Sequence, residues 1–147
     1  MVQGVVVFQG KINGVVTFTQ LHRLGVQIDI DLDRLSPGFH GLHIHRTGDL
    51  RKGCESCCEH YDIYGNDHGD IDDENSHTGD LGNIEADENG EVHMQLFTKK
   101  FKVKDIIGRS LIVHEDEDDL GRGRNKSSKI NGNSGSRLAC AIIGIAE

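Results

Sequence analysis

An all-β fold is predicted for this 147-residue chain on three observations. Short runs rich in Val and Ile recur along it, Gly-, Asn- and Asp-bearing turns separate them, and no stretch shows the apolar period of an amphipathic helix. Eight such runs read as an antiparallel sandwich or barrel.

Taken in order, residues 5–8 and 15–18 flank Lys11, Ile12, Asn13 and Gly14, and Asn-Gly between two β-rich runs predicts a hairpin. Residues 26–32 alternate apolar and polar with period two, which predicts a strand with one buried face. Turns at Ser36-Pro37-Gly38 and at residues 87–90 separate this strand from those predicted at 41–45, 81–86 and 92–97. Strands at 109–114 and 138–145 complete the set. Two long stretches, about 46–79 and about 115–137, interrupt it, and loops of that length in a small domain usually carry function.

With 35% hydrophobic residues, the chain suits a single domain over residues 1–147. Five Phe, two Tyr and no Trp leave Val, Ile and Leu to build the core. The N-terminal residues show no basic segment followed by an apolar one, so no signal peptide is expected. No run approaches the roughly 18 apolar residues of a membrane helix, and a soluble, cytoplasmic protein is the expectation. The net charge of −8 argues against nonspecific nucleic-acid binding, which needs a cationic surface. Acids dominate from Asp49 to Glu88 and again at 115–119, whereas Arg122, Arg124, Lys126, Lys129 and Arg137 follow with no acid among them. Such blocks are ordinarily solvated, but beside a metal site the basic one becomes a candidate anion attractor.

Metal-type ligands stand out in this background. His43 and His45 are an i, i+2 pair on a predicted strand, so both imidazoles point to one face while Leu42 and Ile44 point to the other. His60, His68, His77 and Asp80 are spread over the first long stretch, and His114 closes the apolar run that precedes it. These seven define two adjacent metal sites. His22 and His93 read as exposed, His40 as a structural hydrogen-bonding residue, and Asp72-Asp73-Glu74 as solvated. Cys54, Cys57 and Cys58 cluster in the first loop and Cys140 lies in the last strand. Cys54-x2-Cys57 with His60 nearby is a fragment of a zinc pattern, without a second Cys-x2-Cys; a disulfide from one of the three to Cys140 is the other reading.

Several segments together carry a family resemblance: Gly41-Leu-His-Ile-His45, Gly48-Asp49, Gly53-Cys54, His77-Thr-Gly-Asp-Leu-Gly-Asn83, Ile107-Gly-Arg-Ser-Leu-Ile-Val-His-Glu115, Asp118-Asp-Leu-Gly-Arg-Gly123 and Gly132-Asn-Ser-Gly-Ser-Arg-Leu-Ala-Cys140. In this order and over nearly the whole chain, they resemble the copper/zinc superoxide dismutase family. The resemblance implies an eight-stranded antiparallel Greek-key barrel or sandwich of immunoglobulin-like type, with a metal-binding loop at about 46–79 and an electrostatic loop at about 115–137.

It further implies one copper held by His43, His45, His60 and His114, and one zinc held by His60, His68, His77 and Asp80, with His60 shared. Asp118 would bond to a ligand of each metal, Arg137 would stand beside the open copper face, and Cys54 would pair with Cys140. The implied activity converts superoxide to O2 and hydrogen peroxide by alternate reduction and oxidation of copper, with His60 and Arg137 as catalytic residues. Implied partners are superoxide as substrate, a second copy in a homodimer using Val5, Ile107, Ile142 and Ile145, and a copper chaperone. The alternative is a non-catalytic relative: copper-chaperone-like, a metal buffer or a decoy. A chaperone's dismutase-like domain would usually lack some copper ligands or the arginine, and here all are present. Cys57 and Cys58 are additions to the family's pattern, and Lys129 leaves its steering lysine shifted by one position.

Overall fold

The computed structural model describes residues 2–147. Its strands are β1 (Gln3–Phe8), β2 (Asn13–Gln20), β3 (Val26–Asp33), β4 (Gly38–His45), β5 (Arg51–Cys54), β6 (Asp80–Ala86), β7 (Val92–Thr98), β8 (Ser110–His114), β9 (Arg137–Ile142) and β10 (Gly144–Ala146). All but the short β5 fall into two antiparallel sheets, ordered β10-β1-β2-β3-β7 and β6-β4-β8-β9. Period-two patterning produces the layers. In β3, Val26, Ile28, Ile30 and Leu32 are buried while the residues between them are not, and they meet Leu42, Ile44, Leu111 and Val113 of the second sheet in one core.

The predicted all-β class holds, and of the two expected forms the sheets take the open sandwich rather than the closed barrel. The last predicted strand divides at Ile143, which is fully buried, so β9 stays in one sheet and β10 crosses to the edge of the other. Ile143 spends its own backbone on the 106–109 turn, donating to Arg109 O at 2.9 Å and accepting from Gly108 N at 2.9 Å. With that N–H and C=O used, one continuous ladder cannot run through the corner. The first hairpin forms, but Asn13 and Gly14 lie inside β2 opposite Asp33 and Leu32. The turn occupies residues 9–12, and Asn13 Oδ1 accepts from Gly10 N at 3.1 Å.

Short helical turns, unforeseen from periodicity, occur in the connections: a 3-10 turn η1 (Glu55–Cys57), α1 (Val103–Ile106) and α2 (Ser128–Asn131). Each is a single turn or less, too short to display an amphipathic period. Among the described residues, no helix is long and apolar enough to cross a membrane. Cys54 and Cys140 form a disulfide with a Cα–Cα distance of 5.7 Å, leaving Cys57 buried and Cys58 half-buried as free thiols.

Candidate metal centre

Strand alternation sends His43 and His45 off one face of β4, into a space walled by the long loops. Register places His43 opposite Asp80 of β6, beyond a bulge between Gly41 and His43, and opposite Ile112 of β8. His114 sits past a second bulge at the end of β8. An isolated bridge ties His45 to His60, which brings the first loop over the strands. Bulges re-aim side chains at such rims.

The result is a buried imidazole cluster. His43 and His60 rings stack with centroids 4.0 Å apart, and His43 meets His114 edge-on at 4.7 Å. Ligand atoms of His43, His45, His60 and His114 all lie within 4.8 Å of one another. Each of these rings is held by its second nitrogen. His43 Nε2 is 2.6 Å from Asp118 Oδ2, His45 Nδ1 is 2.7 Å from Cys58 O, and His114 Nδ1 is 3.2 Å from Gly135 O. The opposite nitrogens, His43 Nδ1, His45 Nε2, His60 Nε2 and His114 Nε2, are buried and have no hydrogen-bond partner. Buried polar atoms are rarely left unpaired, so four converging lone pairs fit a soft or borderline cation.

A second group surrounds Asp80. Its Oδ1 lies 3.0 Å from His60 Nδ1, 2.9 Å from His68 Nδ1 and 3.5 Å from His77 Nδ1. His60 Nδ1 is also 3.0 Å from His77 Nδ1. By mutual distance alone the second compact set is His43, His60, His68 and Asp80. His43 Nε2, however, is committed to Asp118, whereas His77 presents its Nδ1 to both His60 and Asp80, so His77 completes the set better. Three imidazoles and a carboxylate fit zinc. His60 faces one group with each of its ring nitrogens.

Asp118 joins the two groups, because its other oxygen, Oδ1, is 2.7 Å from His68 Nε2. It is held in a reciprocal clamp by Asn83, whose Nδ2 donates to Asp118 O at 2.9 Å and whose Oδ1 accepts from Asp118 N at 2.7 Å. Gly132, with φ +70°, lies against this bridge, where a Cβ would strike Asp118 Oδ1 and His68 Nε2. Lys100 is a further support: its Nζ donates to His77 O at 2.9 Å and to Asp80 O at 2.7 Å. Neither Lys100 nor Gly132 was legible as a site residue, since Lys99 and many other glycines look the same in sequence. His40 is structural as expected, with Nδ1 2.8 Å from His114 O and Nε2 2.8 Å from Ser36 O.

Electrostatics separate the groups. Burial pulls His43 well below the ordinary histidine range, with like charge at His60 adding to it. Burial likewise lowers His45 and His60, and pushes His114 down to about 4. His68 goes the other way: burial opposes its charge, but hydrogen bonds to Asp118 and Asp80 outweigh that and raise it to about 9. Asp80 is also opposed by burial, yet bonds from His60, His68 and His77 hold it well below the carboxylate range.

The first group opens on a cavity of about 580 Å³ lined in part by His45, His60, His114, Lys129 and Arg137. Arg137 is half-buried and its Nη1 donates to Cys54 O at 2.8 Å. Of the basic segment, only Lys129 and Arg137 reach this cavity, and Glu59, Asp62 and Asp67 line it too. Arg122 instead pairs with Asp73 at 3.2 Å.

A β-sandwich carrying a buried, histidine-rich metal-binding cluster is the class that fold and site define. A family profile described as copper/zinc superoxide dismutase matches residues 12–143, and the chain belongs to that family. It is 41% identical over 150 residues to a Cu-Zn superoxide dismutase of Paramecium bursaria Chlorella virus 1, covering 99% of this chain and 80% of that protein. It is 50% identical over 134 residues to the copper chaperone for superoxide dismutase of Rattus norvegicus, covering 91% of this chain and 49% of that protein. The chain therefore spans about half the length of the chaperones it matches. The crystal structure of the clock protein EA4 superposes with a TM-score of 0.94 at 37% identity, over 99% of this chain and 94% of that one.

Proposed function

We propose that this protein is a superoxide dismutase holding one copper and one zinc. The observation that carries the proposal is the set of four buried, unpartnered imidazole nitrogens, three of them on histidines that line a cavity shared with Arg137. His43, His45, His60 and His114 are assigned to copper; His60, His68, His77 and Asp80 are assigned to zinc. Copper, when bound there, supplies the one-electron couple that superoxide disproportionation needs.

The chain's own groups supply the rest. Arg137, fixed through its Nη1 bond to Cys54 O, leaves other guanidinium N–H donors to orient an anion in the cavity. Lys129 and Arg46 add positive potential there, so with Arg137 three cations balance the three acids and attraction is local to the Arg137 wall rather than spread over the loop. His60 Nε2 carries and returns a proton, while its Nδ1 stays turned to Asp80 and His77. Two superoxide ions and two protons give O2 and H2O2, with His60 Nε2 delivering one proton and solvent the other. Asp118 fixes the tautomers of His43 and His68.

The whole described chain acts as one domain. A homodimer is in keeping with Ile142 and Ile145, which are 45% and 72% exposed; a helper that delivers copper is a further proposed partner. A cytoplasmic location is proposed with it.

A second reading follows from the chaperone relatives: a copper/zinc-binding domain that serves as a chaperone module, buffer or decoy without turnover. Superoxide turnover of the copper- and zinc-reconstituted protein beside Arg137→Ala and His114→Ala separates the two. The dismutase reading expects high wild-type activity that both substitutions depress. Two metals bound with no turnover supports the second reading.

A further inference from the structure

Cys57 has no part in the metal centre, yet it is a buried thiol one helical turn from a disulfide. Cys54 precedes η1 with φ −71° and ψ −19°, and Cys57 ends that turn. In a 3-10 turn, residues i and i+3 eclipse, and three steps of about 2 Å put their Cα atoms about 6 Å apart. That separation lies within the usual disulfide range of about 4.4–6.8 Å, and Cys54 already spans a comparable 5.7 Å to Cys140. Cys57 Sγ makes only a weak contact, 3.7 Å to Asp49 O.

We infer that Cys57 is an internal exchange partner of the Cys54–Cys140 disulfide. The Cys57 thiolate attacks Cys54 Sγ, forming a Cys54–Cys57 bond as the Cys54–Cys140 bond breaks. The bonding electron pair leaves on Cys140 sulfur, which takes up a proton in place of the one Cys57 lost. No external oxidant or reductant is consumed, because one disulfide and one thiol give one disulfide and one thiol.

The loop is built to survive the change. Its turn is closed locally by Gly53 N to Leu50 O at 3.1 Å, Cys58 N to Glu55 O at 3.3 Å and Thr47 N to Cys57 O at 3.2 Å, and by Ser56 Oγ to Asp49 O at 2.6 Å. None of these bonds involves β9. What joins Cys54 to that strand is the disulfide and the Arg137 bond to Cys54 O, so exchange would unfasten the loop from the strand that carries Arg137. Chain statistics favour the short pairing: closing residues 54–57 rather than a loop of separation 86 is easier by about 100-fold in an unstructured chain. Native packing of β9 against the loop opposes it, so the exchanged form is a minor species when folded and the major one when the loop detaches. The inference concerns the cysteines alone and stands apart from the metal assignment.

The test holds the oxidised, full-length protein at pH 8 without added thiol, in buffer and in graded urea. Acid quenching, alkylation and peptide mapping then identify the free cysteines. The expected result is a fraction with Cys140 alkylated and Cys54 linked to Cys57, growing with urea. In full denaturant the short pairings of Cys54 with Cys57 or Cys58 should together exceed Cys54–Cys140 by about 100-fold, a wild-type reading that needs no folded variant. In buffer without urea, Cys57→Ser and Cys57→Ala should abolish Cys140 release, and Cys58→Ser should not. The inference is overturned if Cys140 stays blocked at every urea concentration, or if, in buffer without urea, it is freed equally without Cys57 or Cys54 pairs mainly with Cys58.

Discussion

Arg137 and Cys54 are joined through the backbone: the guanidinium Nη1 donates to the Cys54 carbonyl at 2.8 Å, while β9, which carries Arg137, also carries Cys140. The group proposed to receive the anion is thus positioned by both halves of the disulfide. Its two attachments restrain the side chain in a way that neither strand nor loop could alone.

Truncating that side chain should therefore cost anion capture without loss of metal. For Arg137→Ala, superoxide turnover is expected to fall by roughly 100-fold, the scale of removing one preorganised charge-stabilising donor, with copper and zinc content unchanged. Reducing the disulfide with metals retained should cost less, since the guanidinium survives but loses its anchor. Equal turnover in wild type and Arg137→Ala would remove Arg137 from the mechanism.

Asp118→Ala should weaken both metal groups at once. A carboxylate accepts from His43 and His68 together, whereas alanine has no acceptor, so both imidazoles lose their partner. Competition against chelators should show affinity lower by about 10- to 100-fold. An effect on one metal only would deny the bridging role.

The metal-free protein should be most stable near neutral pH. His114, lowered by burial to about 4, is neutral when folded while the unfolded chain binds a proton below about 6.5. Its stabilising contribution is thus lost as pH falls from about 6.5 to about 4, to the extent of about 3 kcal/mol. His43, His45 and His60 act in the same direction. His68, raised to about 9, has the opposite sign: its contribution is complete below about 6.5 and disappears as pH rises through about 9. Urea unfolding of the metal-free protein between pH 4.5 and 9.5 would show the maximum, and a flat profile would contradict it.

Proton release should distinguish the metals. At pH 7 His68 is protonated in the metal-free protein, so zinc uptake at Asp80 should release about one proton, whereas the copper-side nitrogens are already neutral. Copper added to the zinc-free protein should release almost none. Added after zinc, it should release about one, because His60 must then give up its last ring proton. Calorimetry in buffers of different ionisation enthalpy measures each value, and identical release in both orders of addition would exclude a shared His60.

Much of this was legible because the signals are local. The i, i+2 spacing of His43 and His45 places both rings on one face of a strand, and alternation in residues 26–32 fixes the inner face of β3. Motifs carrying His77, Asp80, His114 and Asp118 were readable through resemblance, which also assigned His60 and His68 lying between them, though nothing in composition separates Asp118 from the acids around it. What escaped depends on contacts between distant segments. Lys100 supports two ligand-bearing backbones from across the chain, Gly132 matters because of what lies against it, and the break at Ile143 arises where the 106–109 turn claims its N–H and C=O. The cavity is also less basic than the loop that borders it, because Glu59, Asp62 and Asp67 arrive from the other loop and offset Arg46, Lys129 and Arg137.

The most direct measurement is pulsed-superoxide decay catalysed by wild-type protein shown to hold one copper and one zinc per chain. The account predicts rapid, repeated turnover that scales with copper content and is lost in His114→Ala. Decay no faster than the uncatalysed rate, with both metals bound, would contradict it and leave a metal-binding relative in its place.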